Sequence, residues 1–183
     1  MKQQCTRLLF RMLCCIAVPV CCGAVMQSCG KKKEHPAVTA YNKKAGIVSA
    51  NSNAKALYLS LNSALTDLNE NDISVSDAEK LAGVYYFQGR DFEFDTPPGD
   101  SASPEEKFRY SVSVYYPEIV NLDEIAYELQ NMNVLAAAVK CRHSDDPGSY
   151  YGTCPRLMSA EEFDKTDSLE TALQYALEYT DRD

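Results

Sequence analysis

The residues with the richest chemistry lie late in the chain, in "CRHSDDPGSYYGTC", Cys141 to Cys154, where two thiols bracket an imidazole and two carboxylates. Cys141, His143, Asp145, Asp146 and Cys154 include the donors that a zinc site uses. No Cys-x-x-Cys or His-x-x-x-His pair supplies the short chelating bite of such sites, so no metal is expected. A disulfide between Cys141 and Cys154 is the expectation instead. Outside the cytoplasm, a loop with twelve residues between its cysteines would gain about 3 kcal/mol in the chain-entropy model. A second polar group, Asp67, Asn69 and Asn71 in "DLNENDISVSDAE", falls at the first, third and fifth places of a calcium loop. Asp72 then occupies the place that needs glycine and Ala78 that of the bidentate glutamate, so an ordinary helix exit is expected.

Nucleophilic catalysis has little to work with. The chain holds no Gly-x-Ser-x-Gly, no phosphate-cradling glycine loop and no His-Glu-x-x-His, and its two histidines are His35 and His143. It reads as non-enzymatic, without a cofactor. Tyrosine is more abundant, with twelve in all and doublets in "VYYF", "VYYP" and "SYYG". Each ring has an apolar face and a polar tip, which suits core packing or a binding surface for glycans or a protein partner. Tyr115, Tyr116, Tyr150 and Tyr151 are the candidate surface.

One cysteine near the N-terminus belongs to a different chemistry. A basic start with Lys2, Arg7 and Arg11 leads into the apolar run "MLCCIAVPVCCGAVM", which at 15 residues is shorter than the roughly 20 that a spanning helix needs. That is the pattern of a secretory signal. The run ends in "MQSC", which resembles the lipobox of lipoprotein signals, with Cys29 as the lipidated residue; Met26 and Gln27 depart from the usual Leu and small residue. Lipidation at Cys29, simple cleavage and an uncleaved anchor all remain open. The chain's formal net charge is −8, and removal of the segment takes away three cations and no anion, leaving −11. That sign disfavours nucleic acid and anionic membrane surfaces as partners.

The elements that must carry these groups follow from periodicity. From Pro36 to Leu68, apolar residues recur at gaps of three and four from Ile47 onward, predicting one helix of about eight turns with Pro36 in its first turn and Gly46 as its likeliest bend. "GVYYFQGRDFEF" predicts a strand, or a hairpin turning at Gln88 and Gly89. "SPEEKFRYSVSVYY" mixes both periods, and its Ser103, Pro104 and Glu106 favour a capped helix that Pro117 ends. "DEIAYELQ" and "VLAAAVKC" around "NMN" predict a hairpin whose second strand is apolar on both faces. "HSDDPGSYYGTCP" reads as a loop, "SAEEF" as a capped turn, and "TDSLETALQYALEY" as a last helix capped by Thr166 or Asp167. The fold class is α+β: a long N-terminal helix packed on a small antiparallel sheet, with a C-terminal helix.

The stretch "PAVTAYNKKAGIVSANSNAKALYLSLNSALTDL" resembles the first helix of type IV pilins, especially the pilin-like proteins of Gram-positive clostridia, just beyond its membrane-spanning half. "VNLDEIAYELQNMNVLAAAV" resembles the family's sheet hairpin and "GTCP" its late turn, so the likeness covers roughly Pro36 to Pro155. It departs at the start: Gly30 is followed by Lys31, Lys32, Lys33, Glu34 and His35, not by the apolar stretch that builds a fibre core. Together with the lipobox-like signal, this gives a signal peptide over 1–28, a polar tether over 29–35 and a pilin-like domain over 36–183. The resemblance implies an extracellular, cell-surface anchored protein acting in pilus-related assembly or adhesion. A fibre subunit with a divergent N-terminus and a lipid-anchored glycan- or protein-binding module are the alternatives. The expected partners are the membrane, through the lipid anchor or signal segment, and other pilin-like subunits or surface glycans.

Overall fold

A run of Ser and Asn in mid-helix costs stability unless the side chains find partners. In the first element, α1 (Pro36–Glu70), they bend back onto their own helix. Ser52 donates to the Val48 carbonyl at 3.0 Å, Ser60 to Ala56 at 2.8 Å, Asn62 to Tyr58 at 2.8 Å and Thr66 to Asn62 at 3.0 Å. The apolar stripe Ile47, Ala50, Ala54, Leu57, Leu61, Leu65 and Leu68 is buried along its length, as the periodicity predicts. Burial of that stripe, rather than intrinsic propensity, holds so long a helix together.

The computed structural model describes residues 36–70, 79–143 and 146–178. The signal segment, Cys29 and the tether lie outside the described residues, as do most of the calcium-like loop and Asp145. The described residues from Thr39 onward make one compact unit. No described helix is long and apolar enough to cross a membrane.

Four strands form an antiparallel meander in sequence order: β1 (Gly83–Phe87), β2 (Glu124–Gln130), β3 (Asn133–His143) and β4 (Asp146–Cys154). β2 and β3 are the predicted hairpin, closed by Asn131 at φ 51° and Met132 at φ 59°. Two such residues make the primed turn that matches strand twist. The left-handed backbone at Met132 is unfavourable for a side chain of that size, and packing of Met132 against the core offsets it. Of the two readings of "GVYYFQGRDFEF", the single strand is the one found: β1 ends at Phe87 and Gly89–Phe92 forms a 3₁₀ turn in place of a returning strand. The expected late loop is in large part a strand, because Tyr150, Gly152 and Cys154 alternate inward and pair with Cys141, Val139 and Ala137.

Alternation assigns the two faces. Ile125, Tyr127, Val139 and Cys141 look toward α1 and toward α2 (Pro104–Tyr115), whose Phe108 meets the Tyr127 ring edge-on at 6.2 Å. α2 starts as predicted: Ser103 accepts from the Glu106 amide and Pro104 opens the first turn. A second 3₁₀ turn, Pro117–Asn121, joins α2 to β2. On the other face Ala126, Ala136 and Ala138 are fully buried beneath the last helix, α4 (Leu169–Leu177), which contributes Leu169, Ala172, Leu173 and Ala176. Its cap is Ser168, not Thr166 or Asp167, since the Ser168 hydroxyl reaches the Thr171 amide at 3.1 Å. Between β4 and α4 lies a short helix, α3 (Ala160–Phe163), capped by Ser159. Thus β3 is covered on both faces, which is why its sequence is apolar on both.

Candidate functional site

Two stretches that the sequence sets a hundred residues apart meet at one point. Gly152 lies so close to α1 that a Cβ there would stand 2.0 Å from the Ala50 carbonyl carbon and oxygen. Only a glycine facing an alanine lets strand and helix backbones approach this closely. Beside that contact the buried Asn51 amide makes three hydrogen bonds. Its oxygen accepts from the Thr153 amide at 3.1 Å and the Met158 amide at 3.0 Å, and its nitrogen donates to the Met158 carbonyl at 2.8 Å. Thr153 completes the turn by donating from its hydroxyl to the Arg156 carbonyl at 2.5 Å. "SANSN" and "GTCP" are therefore two halves of one junction, in which a side chain acts as a strand partner for backbone that would otherwise be buried without hydrogen bonds.

The expected Cys141–Cys154 disulfide is not present: both thiols are free and buried. Register is the reason. Cys141 pairs with Tyr150, whereas Cys154 pairs with Ala137, so the thiols are offset by four residues along neighbouring strands. At about 3.3 Å per residue that offset is roughly 13 Å, far beyond the reach of a disulfide. Burial pushes both thiols above the ordinary range, opposed at Cys141 by a 3.6 Å hydrogen bond from the Asn53 amide and at Cys154 by the charge of Lys55. They remain protonated at neutral pH and act as small apolar groups. Among the described residues no group of three or more His, Cys, Asp or Glu could hold a metal ion. Asp67, from the calcium-like stretch, accepts from the Tyr115 hydroxyl at 2.7 Å and the Ser111 hydroxyl at 3.3 Å, tying α1 to α2.

The four candidate tyrosines do not form one surface. Tyr116 is 8% exposed, with its hydroxyl donating to Asn53 Oδ1 at 3.1 Å, and burial with the nearby Glu118 and Cys141 raises its pKa to about 12. Tyr150 is 4% exposed, lies against Gly46 and stacks on Phe163 at 5.5 Å. Both belong to the core, because their positions face α1. Tyr151 is half-buried and its hydroxyl donates to the Asp167 carbonyl at 3.3 Å, while Tyr115 alone of the four is exposed. Gly46 fits a packing role: the Tyr150 ring occupies the space where its Cβ would be.

Surface apolar groups gather elsewhere. On α1, Tyr41, Val48 and Leu59 are exposed and are separated by seven and eleven residues. At 3.6 residues per turn those separations put the three along one line of the helix, away from the sheet. Leu157 extends the patch beside Val48. Sequence periodicity overlooks this second stripe because the buried one dominates the pattern. Comparison of the chain with family models, curated proteins and solved structures finds no match.

Proposed function

We propose that this chain is a non-enzymatic protein of the cell surface whose region 36–183 is a pilin-like domain working in pilus-related assembly or adhesion. The observation that supports this reading is the junction of Ala50 and Asn51 with Gly152 and Thr153. The stretch that carries the resemblance and the late turn that supports it are the two that touch. A long helix laid on a four-stranded antiparallel meander agrees with the same reading.

The test is mass spectrometry of the N-terminal peptide from the native protein. A diacylated Cys29 is expected, and would make the chain an anchored monomer. A methylated residue following a glycine would instead make it a fibre subunit. An unprocessed Met1 on a chain recovered with the cytoplasmic fraction would overturn the proposal.

A further inference from the structure

Where β1 ends, the first 3₁₀ turn and the start of α4 border an open, shallow cleft of about 580 Å³. Its aromatic wall is Tyr86, with Phe87 and Leu169 beside it. Tyr86 points to the face of the sheet that α4 covers, but α4 lies over β2, β3 and β4, so the ring stays 51% exposed. No ring is stacked on it among the described residues. The polar wall is Gln88, Arg90, Asp91, Glu124 and Glu170.

This wall is held in place by the fold. A Cβ on Gly89 would stand 2.4 Å from the carbonyls of Ile119 and Leu122, and the Gly89 amide donates to Leu122 at 3.2 Å, so the turn sits directly on the 3₁₀ segment that precedes β2. Asp91 accepts from the Gln88 amide at 2.7 Å, and Arg109 donates to the Asp91 carbonyl at 2.5 Å. Glu124 is paired with Lys140 at 2.5 Å. The part of the wall made by the turn backbone, Asp91 and Glu124 is preformed, which spares a ligand the cost of ordering it.

The lining selects by chemistry. An anion would face three carboxylates, and an apolar molecule would leave them unpaired. A cation would be repelled by Arg90 in the lining and would find Lys140 already paired with Glu124. A neutral polyhydroxyl ligand satisfies every group: hydroxyls donate to carboxylates and accept from Gln88 and Arg90, while a sugar's C–H face lies on the tyrosine ring. We infer that this cleft is a carbohydrate site for a short neutral saccharide, with Tyr86 as stacking platform and Gln88, Arg90, Glu124 and Glu170 as hydroxyl partners. The inference deepens the adhesion half of the proposed function and rests on it for access to glycans outside the cell.

Calorimetric titration of the purified mature chain with cellotetraose, chitotetraose and mannotetraose tests it, with sialyllactose and tetralysine as charged probes. At least one neutral saccharide binds saturably, Tyr86→Ala weakens it by about tenfold or more, and Tyr86→Phe, which keeps the ring, stays within about threefold. Circular dichroism checks that both variants remain folded. The inference is overturned if no neutral saccharide binds up to ~10 mM, if Tyr86→Ala leaves binding unchanged, or if sialyllactose or tetralysine binds in preference. N-terminal processing is read independently of these titrations, so the failure of either proposal is recognised separately.

Discussion

Asn51 has one amide oxygen and one amide nitrogen, and in its buried position both serve backbone at the end of β4 and in the segment that follows it. Asn51→Ala leaves the Thr153 amide and both polar groups of Met158 without this partner, and should cost about 2–4 kcal/mol in urea denaturation. Asn51→Asp keeps the shape but removes the donor and buries a charge, so it should cost at least as much. Tyr116 makes a prediction about pH. Its folded pKa of about 12 lies above the ordinary value of 10.0, so its contribution is complete below pH 10 and is lost as pH rises through 12. Tyr116→Phe should cost about 1 kcal/mol at pH 7 through the lost bond to Asn53, and it should flatten the fall in stability between pH 10 and 12. Denaturation midpoints measured across that range for both chains give the comparison. Parallel curves would mean that Tyr116 does not ionise with unfolding.

At the scale of elements, the contact between α1 and β4 is set by what Gly152 lacks. Gly152→Ala places a methyl group 2.0 Å from backbone of α1, which cannot move aside as a side-chain tip can, so strand and helix must separate. A loss above about 2 kcal/mol is expected, with raised hydrogen exchange concentrated in β4 and around Asn51. The same residue explains what could be read from the sequence. The stripe on α1, the capped start of α2 and the β2–β3 hairpin were legible because each is written in local periodicity or turn chemistry. β4 was not, because its Gly148 and Gly152 carry the signature of a loop, and the partner that makes Gly152 necessary is Ala50, a hundred residues away. The disulfide expectation failed with it: spacing along the chain suited a loop, and a strand's register separates the thiols. The tyrosine doublets show the same limit. Alternation along β4 sends Tyr150 inward and leaves Tyr151 half-buried, and doublet composition alone cannot tell the two apart.

At the scale of the whole molecule, the sheet is a middle layer, and α4 is the part that makes it so. Helix and sheet meet through small residues: Ala126, Ala136 and Ala138 on the strands face a helix that buries Ala172 and Ala176 along with Leu169 and Leu173. Burying the two leucines alone is worth roughly 3–6 kcal/mol, a large part of the 5–15 kcal/mol that stabilises an ordinary domain. Removal of residues 167–183 should therefore expose the alanine face, abolish cooperative thermal unfolding and give a chain that binds the dye ANS and aggregates. Leu173→Ala is the milder form of the same experiment: with the helix retained, it should cost about 2–5 kcal/mol and leave a folded chain with a lower midpoint. If the truncated chain instead unfolds cooperatively at the midpoint of the intact one, α4 is an appendage and the second face of the sheet is stable against water by itself. The Tyr86 cleft would then have lost one wall without loss of the fold. In that case saccharide titration of the truncated chain would measure what Leu169 and Glu170 contribute to binding.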